Sequence, residues 1–123
     1  MKVKRIVANI EAGDLEKASE FYGGLFDLDL LMDLGWIRTF GTDVKMNVQV
    51  NIATATATAT EGGSDTPVPD MTIEVDDIEV ALKRVEAAKV DIAYGPKKEP
   101  WGVRRFHIRD PFGKLINVMQ HEP

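Results

Sequence analysis

The chain has 123 residues, 44% of them apolar and 28% charged, which suits one soluble globular domain with a core of its own. No apolar run approaches the length of a membrane helix, the Met1-Lys2-Val3-Lys4 start does not read as a signal peptide, and a net charge of −5 argues against binding a phosphate backbone. The absence of cysteine excludes disulfides and thiolate metal sites and fits a reducing, cytoplasmic setting.

The first predicted strand ends at Ile10. Its apolar row is Ile6, Ala8 and Ile10, leaving Arg5, Val7 and Asn9 on the other side. A helix follows, with Leu15, Ala18, Phe21, Tyr22, Leu25 and Phe26 at helical spacing and Gly13 in the cap position. Two further strands are expected, the first around "LDL" at 28–30. In the last strand of this half, "MNVQVNI", Val48, Val50 and Ile52 face the helix and Asn47, Gln49 and Asn51 face away. "ATATATAT" at 53–60 reads either as a strand extension with one row of Ala, suited to a subunit contact, or as a loop.

The turn-rich segment 61–69 reads as a linker between module one (1–60) and module two (70–123). Module two repeats the pattern. "IEVDDIEVA" (73–81) answers "IEAGDLEKA" (10–18), sharing Ile, Glu, Asp, Glu and Ala at matching places. Asp76 and Glu79 make a capping-box pattern before a helix carrying Ile78, Ala81, Leu82, Val85 and Ala88. "VDI" (90–92) answers "LDL", and "INV" (116–118) answers "VNI" (50–52). The whole is an α+β fold of two βαβββ modules, each with one helix-covered face; their other faces are expected to enclose a cleft.

Strand alternation selects the cleft residues. On the first strand of module two, Met71, Ile73 and Val75 pack inward, leaving Asp70, Thr72 and Glu74. On the last strand Ile116 and Val118 pack inward, leaving Leu115, Asn117 and Met119. If "DPFG" is a four-residue loop, Phe106 opposes Asn117 and Arg104 opposes Met119, which puts His107 and Arg105 on the other face. The cleft side then carries amides at Asn9, Asn47, Gln49, Asn51 and Asn117. Trp101, beside a glycine, is either a stacking platform at the mouth or a cover for the core. His107, between Phe106 and Ile108, reads as packed or surface, and the basic run from Lys97 to Arg109 as a solvated surface or an anion-steering rim.

The paired modules, "DLEKASEFYGGLF" and above all "WGVRRFHIRDPFGKLINVMQH" resemble the vicinal oxygen chelate superfamily, which includes glyoxalase I, bleomycin-resistance proteins and extradiol dioxygenases. The resemblance spans nearly the whole chain. One departure is Asp27, where the family usually has Gly after the first helix; Asp tolerates the left-handed conformation that position requires. The resemblance places the four metal-ligand positions of the family on Val7, Asn51, Asp70 and Asn117. A hydrocarbon, two neutral amides and one carboxylate are a poor donor set for zinc, nickel or iron. The implied protein is a metal-free, cofactor-free, glyoxalase/bleomycin-resistance-like homodimer that binds a small polar or aromatic organic molecule. Its contacts are expected from Asn9, Gln49, Asn51, Asp70, Trp101, Arg104, Phe106, Asn117 and Met119. The alternatives are a lyase, isomerase or dioxygenase-type enzyme of the same superfamily, using a metal or Arg104 and Asp70 directly, and a structural or regulatory dimer.

Overall fold

The computed structural model describes residues 5, 7–45, 49–53 and 63–123. They fall into two compact units, 1–52 and 53–123. Ile6, Asn47, Val48 and all of the Ala-Thr repeat after Ala53 lie outside the described residues.

In the first unit a helix begins as α1 (Leu15–Ala18), widens to a π-helical turn (Ser19–Gly23) and closes as α2 (Gly24–Phe26). Its N-cap is Asp14, not Gly13. The extended backbone of Asp14 lets its carboxylate accept from the N–H groups of Glu16 (2.9 Å) and Lys17 (3.3 Å). Asp27 ends the helix at φ 54°, the left-handed conformation expected of it. The buried face carries Ala18, Phe21 and Tyr22, with Phe21 edge-on to both Tyr22 and Phe26. Strands β1 (Asp29–Asp33) and β2 (Arg38–Gly41) form an antiparallel hairpin. Arg38 ties it to the helix, donating to the Leu15 carbonyl (3.2 Å), the Ser19 hydroxyl (2.9 Å) and the Glu16 carboxylate (2.7 Å).

The strands expected before this helix and after this hairpin do not form among residues 7–10 and 49–53. By the repeat they would pair with each other, and a strand without its partner has no ladder to hold it. Asn9, Gln49 and Asn51 add little strand propensity of their own. All three side chains are exposed.

The second unit forms its βαβββ module in full. It runs β3 (Met71–Glu74), α3 (Ile78–Ala87), β4 (Ile92–Lys98), β5 (Val103–Arg109) and β6 (Leu115–His121), in sheet order β3-β6-β5-β4. β3 lies parallel to β6 and the other pairs are antiparallel. The cap of α3 is Asp77 rather than Asp76; its carboxylate accepts from Glu79 N–H (3.1 Å) and Val80 N–H (3.3 Å). Asp14 and Asp77 occupy the same place in the internal repeat, so both helices start by one device. Gln120 on β6 accepts from Ile78 N–H (2.9 Å). That bond satisfies another free donor of the helix start and fixes which sheet face the helix covers.

The β5–β6 hairpin differs from the sequence expectation by one residue. Its loop is Pro111, Phe112 and Gly113 only. Asp110 N–H donates to the Lys114 carbonyl (2.9 Å), and Gly113 N–H donates to the Asp110 carbonyl (3.2 Å). Gly113 takes φ 82°, the left-handed residue that completes a three-residue hairpin loop. The Asp110 carboxylate accepts from Phe112 N–H and Lys114 N–H, both at 2.8 Å. The register is therefore Arg104↔Gln120, Arg105↔Met119, Phe106↔Val118, His107↔Asn117 and Ile108↔Ile116.

This shift exchanges the two faces of β5. Phe106 and Ile108 join Ile116 and Val118 in the fully buried row on the helix side, over Ile78, Ala81 and Val85. Arg104 also lies on that side, where it pairs with Glu79 of α3. Arg105 and His107 take the open face instead. The orientation of β6 stands as expected: Ile116 and Val118 face the helix and Asn117 faces away. Phe106→Ala should cost about 3–5 kcal/mol of unfolding free energy by emptying a core position. Urea denaturation checks this, and a loss below about 1 kcal/mol would put Phe106 outside the core.

Candidate functional site

The open face of the second sheet carries a connected polar cluster. At its centre is His107, fully buried, opposite Asn117 on β6 and Tyr94 on β4. Arg105 Nη1 lies 3.4 Å from His107 Nε2. A guanidinium only donates, so Nε2 accepts and the proton sits on Nδ1. Nδ1–H then donates to Thr66 Oγ1 (3.1 Å), which lies 3.0 Å from Ser64 Oγ. The segment before β3 is thereby bound to the sheet. Burial, and then the neighbouring Arg105 charge, lower the His107 pKa to about 4, against a smaller opposing pull from Glu99. The imidazole is neutral at pH 7.

Arg105 contacts two rings, its guanidinium carbon 5.2 Å from the centroid of Tyr94 and 5.1 Å from that of Trp101. Its Nη2 donates to Glu99 (3.3 Å), and the Tyr94 hydroxyl donates to the other oxygen of the same carboxylate (2.7 Å). Glu99 is buried, and the turn 99–102 that carries it closes through Gly102 N–H to the Glu99 carbonyl (3.2 Å). The Tyr94 phenol is shifted up, first by burial and then by its bond to Glu99. Gly95, φ 77°, allows β4 to follow β5 here, since a Cβ would stand 2.6 Å from the Arg105 carbonyl. Trp101 remains half-exposed at 50%.

Asn117 is only 8% exposed. Its Nδ2 donates to Thr72 Oγ1 on β3 (3.3 Å), while its Oδ1 is buried and meets no hydrogen-bond partner among the described residues. Met119 lies on the same face, half-buried, opposite Arg105. At the end of that face His121 meets Glu74, both exposed.

Of the expected contact residues, the second unit brings Asn117, Met119 and Trp101 to its open face. Arg104 and Phe106 are corrected to the helix side, for the loop-length reason above. Asp70 N–H donates to the Leu115 carbonyl (2.8 Å), and its carboxylate accepts from Leu115 N–H (2.8 Å), joining the start of β3 to β6. Arg104 and Asp70 therefore do not form a shared reactive pair: one is engaged with α3, the other with the β6 backbone. Asn9, Gln49 and Asn51 lie exposed in the first unit. The residues overlooked as a group are Tyr94, Glu99, Arg105 and His107. The signal for the last two was the "DPFGK" loop, where Gly as third loop residue calls for the shorter turn. The basic run is largely engaged: Arg104 with Glu79, Arg105 with Glu99, and Arg109 with the Gly113 carbonyl (2.9 Å). Among the described residues no group of three or more His, Asp or Glu side chains is placed to hold a metal. No helix among them is long and apolar enough to cross a membrane.

The chain belongs to the Glyoxalase/Bleomycin resistance protein/Dioxygenase superfamily, whose sequence profile matches residues 4–118. Among solved structures it is similar to TnmS3, an antibiotic binding protein from Streptomyces sp. CB03234, with 23% identity, a TM-score of 0.63, and 99% of this chain and 97% of that chain covered. TioX from Micromonospora sp. ML1 is similar at 19% identity and TM-score 0.62, covering 96% of each chain. A superfamily member from Sphaerobacter thermophilus DSM 20745 matches at 22% identity and TM-score 0.62, covering 98% of each. At these identities the likeness concerns the fold. Curated protein sequences give no match.

Because its folded pKa lies below the ordinary 6.5, neutral His107 favours the folded state. That contribution is complete above pH 6.5 and is lost as pH falls toward 4, on the order of 3 kcal/mol across the window. The stability advantage of the parent over His107→Gln should therefore shrink between pH 7 and 4.5. Urea denaturation at the two pH values tests this; parallel losses would contradict a buried neutral imidazole.

Proposed function

We propose that this protein is a metal-independent, cytoplasmic binding protein for a small polar or partly aromatic organic molecule, acting as one two-module domain in a homodimer. The observation that carries the reading is Asn117. A buried amide oxygen without a partner costs roughly 1–3 kcal/mol, a penalty an apolar residue on the same strand would not incur. A ligand that donates to Oδ1 removes the penalty on binding. Half-exposed Trp101 offers a ring for stacking and Met119 an adaptable apolar contact on the same face. The antibiotic-binding neighbour supports the reading by showing that this fold carries such a role.

The family also includes metal enzymes, and the residues at the four corresponding positions do not fit a divalent metal. Val7 has no donor atom, and Asn51 and Asn117 are neutral amides. Asp70 already holds the Leu115 N–H.

Asn117→Ala should change stability by less than about 1 kcal/mol and weaken ligand binding by roughly 1 kcal/mol or more. A thermal-shift screen of small aromatic and polar compounds supplies the ligand; titration of parent and variant, with and without chelator, supplies the comparison. Binding that chelator abolishes would overturn the metal-independent reading, and equal affinities would remove Asn117 from the site.

For the homodimer, exposed Leu30, Leu31 and Met32 on β1 provide apolar surface that association would cover. Light scattering should give twice the 13.6 kDa chain mass at micromolar concentration. The single-chain mass across a wide concentration range would refute the dimer.

A further inference from the structure

We infer that Arg105 is a positioning residue: in contact with both Tyr94 and Trp101, it fixes the Trp101 indole as a rigid platform on which a planar, uncharged aromatic ring stacks. The inference rests on the ligand-binding reading above and names the device that prepares one contact of that site. Trp101 lies in the turn between β4 and β5, where an exposed indole would ordinarily sample several rotamers. Here one face lies against the guanidinium, 5.1 Å from its carbon, and half of the residue stays open. The guanidinium is itself constrained from several directions. Glu99 holds Nη2, His107 accepts near Nη1, and the guanidinium carbon also lies 5.2 Å from the centroid of the Tyr94 ring. Tyr94 and the 99–102 turn in turn fix the Glu99 carboxylate.

These contacts also define the ligand class. The charge of Arg105 is balanced by buried Glu99, and Nη1 and Nη2 are directed at His107 and Glu99. The Arg105 charge is thus already balanced within the fold by Glu99, and the platform selects by ring stacking rather than by charge. Lysine cannot replace it, because an ammonium lacks the planar fork that meets both rings, Glu99 and His107 together.

The test uses full-length protein carrying Trp36→Phe, which leaves Trp101 as the sole indole, since the chain has two tryptophans. Acrylamide quenching and fluorescence anisotropy of Trp101 are compared in the parent, Arg105→Lys, and the double variant Arg105→Gln/Glu99→Gln, which leaves no unpaired carboxylate in the core. Binding of the neutral planar dye Nile red is titrated in the same proteins and in Trp101→Ala. Both Arg105 variants should show freer, more quenchable Trp101 and about tenfold weaker Nile red binding, with Trp101→Ala at least as weak. Quenching and anisotropy unchanged in both variants would overturn the inference. Nile red binding unchanged by Trp101→Ala would overturn the platform, whereas the ligand reading on which it rests fails if no compound of the thermal-shift screen binds.

Discussion

The arrangement of the second unit depends on the Asp110 carboxylate. By accepting from Phe112 and Lys114, it holds the chain reversal to three residues and sets β5 against β6. Strand side chains alternate, so one more loop residue would send every β5 side chain to the opposite face. Phe106 and Ile108 would leave the core, and His107 and Arg105 would be driven against α3. Both the packed layer and the polar face follow from this one turn.

The cluster on the open face is a costly feature. It buries an ion pair and a neutral histidine where apolar side chains would pack without desolvating a charge. These groups form a connected chain from Ser64 through Thr66, His107, Arg105 and Glu99 to Tyr94. Such a chain favours a single arrangement, because a donor displaced from it has few other acceptors in the interior. Order is a property that a binding surface can use, since groups already fixed lose less entropy when a ligand arrives. Asn117 is the member of the face whose oxygen has no partner among the described residues.

Much of the second module was legible because its signals are local. The spacing of Ile78, Ala81 and Val85 identified the helix, and alternation within "KLINVM" oriented Ile116, Val118 and Asn117 correctly. Failures arose where two segments had to be placed relative to each other. The register of β5 depends on a loop length: "DPFG" reads as four loop residues, whereas Asp110 belongs to the pairing. The caps were misplaced by one residue, although Asp14 and Asp77 align in the repeat. The outer strands expected of the first module would, by the repeat, need each other for hydrogen bonds, and the amides at Asn9, Gln49 and Asn51 do not favour a strand alone. The Glu99–Arg105–Tyr94 cluster joins a turn and two strands, a juxtaposition that only the folded register produces.

The central claim is that Arg105 and His107 share a face with Met119 and Asn117. Nuclear Overhauser contacts across the β5–β6 ladder test it directly in solution. Backbone contacts from His107 to Asn117 and from Arg105 to Met119 are predicted. Contacts from Phe106 to Asn117 and from Arg104 to Met119 in their place would contradict the register and the polar face built upon it.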